Sequence, residues 1–168
     1  SLALGSDGNA YAWGYNGDGQ LGDGTITQRN SPIQVQAPVG VSFVQVVAGD
    51  GYSLGLASDG RAYAWGPNAP GRLGDGPTTA TALPVQVQAP PGVTFAQLAA
   101  GASFSAALGS DGRVYTWGHN HVGQLGDGTT TSSLIPVEAG GSVSVTGVTF
   151  DGDPGVGLLD NGDGTISV

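Results

Sequence analysis

Apolar and polar residues alternate in short runs along most of this chain, and glycine, asparagine, aspartate and proline separate the runs. Residues 43–94 show the logic. Phe43-Val44-Gln45-Val46-Val47 is rich in β-branched residues and is broken by Ala48-Gly49. Tyr52-Ser53-Leu54-Gly55-Leu56 follows with period-2 alternation, then Ala62-Tyr63-Ala64-Trp65, then Pro84-Val85-Gln86-Val87-Gln88. Alternation sends successive side chains to opposite faces, so each run predicts a strand. Tyr63 and Trp65 then share one face and Ala62 and Ala64 the other, which sets bulk on one side and close approach on the opposite side. Asp59-Gly60 predicts a tight hairpin of type I′, with positive φ at both central residues. Pro84 at the head of the fourth run suits an edge strand, because proline donates no ladder hydrogen bond. The stretch Pro67–Thr81 reads as a long glycine-rich loop. No segment sustains a 3.6-residue apolar period, so almost no helix is expected.

The same pattern is written three times without drift. Ser6-Asp7-Gly8 returns as Ser58-Asp59-Gly60 and Ser110-Asp111-Gly112. Trp13-Gly14 returns as Trp65-Gly66 and Trp117-Gly118, and Leu21-Gly22-Asp23-Gly24 as Leu73-Gly74-Asp75-Gly76 and Leu125-Gly126-Asp127-Gly128. Every step is 52 residues. A fixed period of this size signals a repeat architecture whose units stack to bury their apolar faces. Four antiparallel strands per repeated unit predict an all-β fold, a partial β-propeller of about three four-stranded blades; a stacked β-helix is the rival. The expected units are 1–42 (partial), 43–94 and 95–139. Residues 140–168 depart from the repeat. Gly140-Gly141-Ser142 reads as a linker and Val143 to Val168 as the start of an immunoglobulin-like module, with a blade-closing strand as the competing reading for Val143–Val148. The chain opens and closes within units, so it reads as an excerpt of a longer polypeptide.

The middle unit carries Ala48-Gly49, Ser53-Leu54, Leu56, Asp59-Gly60, Tyr63, Trp65-Gly66, Asn68, Gly71, Leu73-Gly74 and Pro84. In this spacing the unit resembles the regulator of chromosome condensation repeat, and the resemblance covers roughly residues 1–138. It implies a seven-bladed parent propeller. Seven such units need about 364 residues, so this chain does not close that ring alone. Members of that family include an exchange factor for a small GTPase and a bacterial propeller that inhibits beta-lactamases, and long arrays occur in surface proteins of high-GC Gram-positive bacteria. The chain departs from the pattern where Tyr52 and Phe104 precede the serine, a position often held by histidine. Nothing in it resembles the wedge insertion used for nucleotide exchange. The tail from Val143 resembles the opening strands of a TIG-type immunoglobulin-like domain.

Composition narrows the chemistry. Formal charge is −9, lysine is absent, and the four arginines (Arg29, Arg61, Arg72, Arg113) are scattered. A phosphate backbone needs clustered cations, so nucleic-acid binding is not expected, nor is membrane insertion. Cysteine is absent, which removes disulfides and thiolate metal sites. Asn16-Gly17-Asp18-Gly19 and Asp160-Asn161-Gly162-Asp163-Gly164 look like fragments of calcium loops but lack the closing bidentate glutamate; Asx-turns account for them. His119 and His121 could share a face as metal ligands, but no third ligand is evident. Glu138 is the only glutamate, and no Gly-x-Ser-x-Gly elbow is present, so neither glycoside cleavage nor a serine hydrolase is supported. No metal, no cofactor and no enzyme activity are expected.

Inside a strict repeat, constant and variable positions carry different information. Asp7, Gly8, Trp13, Asp59, Gly60, Trp65, Asp111, Gly112 and Trp117 recur in every unit and read as structural. Tyr15, Asp18, Tyr52, Pro67, Phe104, His119 and His121 lie where the units differ, and they read as loop positions. They are the candidate binding residues, since rigid scaffolds carry recognition in loops; drift in unconstrained loops is the alternative reading. The expectation is a non-catalytic binding module for a protein or cell-surface ligand, in an extracellular or cell-wall-attached bacterial protein. An inhibitor of a secreted enzyme stands second, and nucleotide exchange on a GTPase third.

Overall fold

A computed structural model describes residues 1–77 and 79–140 in full and, beyond them, the backbone of three short strands. Among the described residues every regular element is a strand. The first unit contributes β1 (Leu2–Leu4), β2 (Ala10–Gly14) and β3 (Arg29–Gln34). The second contributes β4 (Phe43–Ala48), β5 (Ser53–Ala57), β6 (Ala62–Gly66) and β7 (Thr81–Gln86). The third contributes β8 (Phe95–Ala100), β9 (Phe104–Gly109), β10 (Val114–Gly118) and β11 (Ser133–Glu138). Each unit is one antiparallel meander in chain order, β1-β2-β3, β4-β5-β6-β7 and β8-β9-β10-β11. A β-helix would pair its coils in parallel, so these sheets are propeller blades. The remaining strands are β12 (Gly147–Val148), β13 (Leu159–Asp160) and β14 (Thr165–Ser167), paired in the order β12-β14-β13. The expected linker beyond Gly140 and the two readings of the tail lie almost wholly outside the described residues.

The two faces of the third strand do what their alternation predicts. Tyr63 and Trp65 join one cluster with Ala10, Ala12, Leu21 and Val35 of the first blade. Ala62 and Ala64 join another with Tyr115 and Trp117 of the third. Each blade thus sets its aromatic face against the alanine face of the blade before it. Phe43 and Phe95, at the starts of the first strands, pack edge-on to Tyr63 and Tyr115, at 6.1 and 6.2 Å between ring centres. Trp65 and Trp117 are wholly buried. Trp13, with no blade before it in this chain, is half-buried.

The first strands of neighbouring blades lie side by side, and Gln45 links them. Its amide donates to the Leu98 carbonyl (2.9 Å) and accepts from the Leu98 N–H (2.8 Å). The side chain thereby satisfies backbone groups on a strand edge, where unpaired polar atoms would be costly. The fourth strands form the opposite edges of the meanders. Pro84 stands in β7 as an edge strand permits. The strand begins at Thr81, earlier than the alternation suggested, because Gly66 pairs with Thr81 across a β-bulge after Ala64. The same bulge recurs at Gly14 and Gly118, which explains a repeated Trp-Gly pair: the three glycines hold φ of +107°, +109° and +106°.

The hairpins fall at Asp-Gly as expected, but not as type I′ turns. Among the described residues no non-glycine residue has positive φ, so Asp7, Asp59 and Asp111 are not left-handed. Instead Gly60 N–H donates to the Ala57 carbonyl (2.9 Å) and Ala57 N–H to the Arg61 carbonyl (2.8 Å). That is a three-residue loop with a left-handed glycine after an ordinary turn. The aspartate is held by its own side chain, because Asp59 Oδ1 accepts from Arg61 N–H at 3.0 Å, as Asp7 does from Asn9 and Asp111 from Arg113.

Gly74 shows how tightly the blades meet. Its φ is +71°, and a Cβ there would stand 2.6 Å from Trp117 Nε1 of the next blade. Gly112 has φ +78° with nothing within 4 Å. Gly112→Ala should therefore carry only backbone strain, about 1–2 kcal/mol. Gly74→Ala should add overpacking of about 1–3 kcal/mol to the same strain. Urea denaturation of both variants checks this; equal losses would mean that the tryptophan yields freely.

Candidate recognition surface at the loop end of the blades

Each blade has two ends. The Asp-Gly hairpins and the connections between blades form one; Gly8 approaches Ser42, and Gly60 approaches Thr94. The long loops after β2, β6 and β10 form the other, together with the turns before β5 and β9, because Gly66 sits against Gly51 and Tyr52.

The long loops are not slack. Asn16 and Asn120 are fully buried, and Asn68 nearly so. Asn120 Oδ1 accepts from Leu125 N–H (2.9 Å), and its amide donates to Asp127 Oδ1 (3.2 Å) and to the Thr129 and Thr131 carbonyls (3.1 Å each). Asn16 makes the equivalent bonds to Leu21, Asp23, Thr25 and Thr27, and Asn68 to Leu73 and Asp75. One amide per unit therefore sets the loop shape from inside. Ser53 and Ser105 tie the loops to the next blade by donating to the Gln20 and Arg72 carbonyls at 3.0 and 2.8 Å. From the sequence, Asn16 reads as an Asx-turn residue and Asn68 and Ser53 as repeat positions; the loop-setting and interblade bonds are seen only in the structure.

Asp23 closes the first loop. Burial alone would raise its pKa, but hydrogen bonds from Thr25 and Arg29 and the Arg29 charge outweigh that, and the net shift is downward. Arg29 Nη2 stands 2.7 Å from Asp23 Oδ2. A depressed folded-state pKa contributes stability that is present above the unfolded value and lost as pH falls through the folded one. Arg29→Gln should raise the Asp23 pKa and move the acid-unfolding limb to higher pH. NMR titration of the Asp23 carboxyl carbon checks this; an unchanged midpoint would remove Arg29 as a cause.

The candidate residues separate into two groups. Tyr15 (67% exposed), Asp18 and His121 stand on the surface, and Pro67 and His119 are half-buried in the same loops. Tyr52 and Phe104 are not loop residues open to solvent, and that expectation is corrected. They are 1% and 7% exposed, Phe104 opens β9, and the Tyr52 hydroxyl reaches the next blade, donating to the Phe104 carbonyl at 2.5 Å and lying 3.0 Å from Ser105 Oγ. Tyr52 thereby links two blades, while Phe104 packs with Leu125 and Val137 of its own blade. Burial raises the Tyr52 pKa far above the ordinary tyrosine value.

The structure brings His119 and His121 together, with rings stacked at 4.1 Å between centres. No group of three metal-ligating side chains occurs among the described residues. Tyr15 and Tyr52 line a cleft of about 220 Å³ between the first two blades, with Gln20, Gly51 and Ser53.

Arg72 was missed by sequence reasoning, and the signal was a departure from Gln20 and Gln124 at the same position. Gln20 Oε1 accepts from Asp18 N–H (3.1 Å), and Gln124 Oε1 from Val122 N–H (3.0 Å). In the second unit that donor is missing, because Pro70 has no N–H. Arg72 takes the place of glutamine and points its guanidinium at carbonyls instead: Ala69 in its own loop, Asp50 at 3.2 Å and Ala102 of the next blade at 3.4 Å. It also lies over the Tyr52 ring, 5.5 Å from the centre.

Comparison with known proteins places this architecture. The profile of the Regulator of chromosome condensation (RCC1) repeat matches residues 7–56, 59–108 and 111–150. The ultraviolet-B receptor UVR8 of Arabidopsis thaliana is 36% identical over 126 residues, which is 75% of this chain and 29% of the receptor. The human E3 ubiquitin-protein ligase HERC2 is 36% identical over 136 residues, 81% of this chain and 3% of the ligase. Among solved structures, human WBSCR16 superposes with a TM-score of 0.76 at 26% identity, covering 88% of this chain and 39% of that one. Yeast RCC1 in its complex with Kap60 superposes with a TM-score of 0.73 at 25% identity, covering 84% and 35%. The chain thus spans under a third of these curated relatives' own lengths. Three consecutive matches to one repeat profile, which together cover most of the residues, mean that this chain belongs to the RCC1 repeat family.

Proposed function

We propose that this segment is a non-catalytic protein-recognition part of a larger propeller, and that it recognises its partner through the loop end of the blades. One observation carries the reading. The residues that recur in every unit are engaged in interblade packing and internal hydrogen bonds, while Tyr15, Arg72, His119 and His121 differ between units and stand at least partly open on a stapled scaffold. A rigid frame with variable loops is the usual physical arrangement for recognition. Proteins of the same family support it, since yeast RCC1 has been crystallised with Kap60 bound and Prp20p of Saccharomyces cerevisiae is described with its binding to Gsp1p and histones. The ligase relatives match only through a small share of their length, so their chemistry is not carried over. Low lysine, a charge of −9 and many small residues fit a setting outside the cell, which we propose is a bacterial surface.

A photoreactive amino acid placed at Tyr15, at His121 and, as a control, at Val39 tests this in the parent protein in its own cells. Val39 is fully exposed at the hairpin end. Protein adducts from the first two positions and none from Val39 are expected. Adducts at Val39 alone, or at none of the three, would remove the loop end as the recognition face.

A further inference from the structure

We propose that the surface between the second and third blades, centred on Arg72, His119 and His121, takes a carboxylate from an acidic segment of a partner protein. This rests on the reading of the loop end as the recognition face and names the chemistry that face selects.

The charge inventory points there. Arg29 pairs with Asp23 at 2.7 Å, Arg61 with Asp59 at 2.5 Å and Arg113 with Glu138 at 2.8 Å. Among the described residues Arg72 is the one arginine with no carboxylate within 4 Å. Its partners are the Asp50, Ala69 and Ala102 carbonyls and the face of Tyr52. These fix the guanidinium in place without neutralising it. A pre-set, un-neutralised cation needs little further ordering when an anion arrives.

Donor counting selects the anion. Of the five N–H groups of a guanidinium, the carbonyls engage four. One remains, enough for a monodentate carboxylate but poor for a phosphate, which takes several. His119 follows directly on Gly118, where a Cβ would stand 3.3 Å from Arg72 Cα, and the two imidazoles would supply the other donors. The His119 backbone N–H donates to the Ser103 carbonyl (2.9 Å), and its ring is braced by His121. Burial, then the His121 and Arg72 charges, hold the His119 pKa below its ordinary value, so the positive field of Arg72 reaches that ring. A docked carboxylate would oppose that field.

The rest of the molecule sharpens the selection. With a formal charge of −9 the protein repels acidic segments over most of its surface. An acidic partner is therefore retained only where the field reverses, which gives specificity of position rather than high affinity.

Fluorescence anisotropy of a rhodamine-labelled hexaglutamate peptide with the 168-residue chain at low ionic strength tests the proposal. Saturable binding is expected, weakening as sodium chloride rises. Arg72→Gln should weaken it roughly tenfold, the loss of one charge-assisted contact. His121→Ala, an exposed change that leaves the blade packing alone, should weaken it roughly threefold and keeps the proposal testable if Arg72→Gln melts early. Arg61→Gln at the hairpin end should leave it unchanged. No saturable binding, equal binding by a folded Arg72→Gln, equal binding of hexalysine, or displacement by inorganic phosphate at equal concentration would each overturn it. Peptide binding here without photo-adducts at the loop end would instead sink only the cellular recognition reading.

Discussion

Replacing Trp117 by alanine should cost the chain about 3–5 kcal/mol, the usual loss for a large buried aromatic. The residue is fully buried, its ring faces the alanine side of the preceding blade, and its Nε1–H donates to the Arg72 carbonyl at 3.0 Å. Its removal opens a void at the junction of two blades, where neither sheet can close it without losing its own register. Trp65 is equally buried, but its Nε1 has no hydrogen-bond partner. The two tryptophans therefore separate under a milder change. Trp117→Phe should cost about 1 kcal/mol more than Trp65→Phe, the worth of one hydrogen bond. Urea midpoints of the three variants measure both effects. A mild Trp117→Ala that abolished partner binding would reverse the roles assigned here, making the tryptophans the recognition ladder.

Asn120→Leu should destabilise by about 3 kcal/mol, although leucine is apolar and the site is buried. Leucine replaces the amide volume but leaves Leu125 N–H without its acceptor and the Thr129 and Thr131 carbonyls without their donor. Water cannot reach a wholly buried site to compensate, so the loop must open. Hydrogen exchange at the Leu125 amide would report that opening directly, and Asn16→Leu should act in the same way on Leu21. A loss below about 1 kcal/mol with protection retained would show that the loop is held by its ends alone.

The hairpin turns show where a local signal falls short. Asp-Gly is compatible with both type I′ and the three-residue loop observed. The aspartate side chain decides between them, since its bond to the N–H two residues on is made without positive φ. Tyr52 and Phe104 show a second limit. In one dimension they vary between units as a binding residue would. In three they are packed rings, Tyr52 against the next blade and Phe104 against Leu125 and Val137 of its own.

By itself the sequence determined the strands, their order, the hairpin positions and the aromatic and alanine faces of β6. These follow from side-chain periodicity and from glycine and proline chemistry, which act within a few residues. The 52-residue period added the stacking of units, because a face repeated in each copy must meet its complement in the next. Only the tertiary structure decided which variable residues are open. Burial depends on what the adjacent blade brings, and that partner lies about fifty residues away, as Tyr52 and Phe104 do. The same distance hid Arg72. Its value as an un-neutralised cation depends on carbonyls from two blades and on the absence of a nearby carboxylate, and neither can be read from the order of residues along the chain.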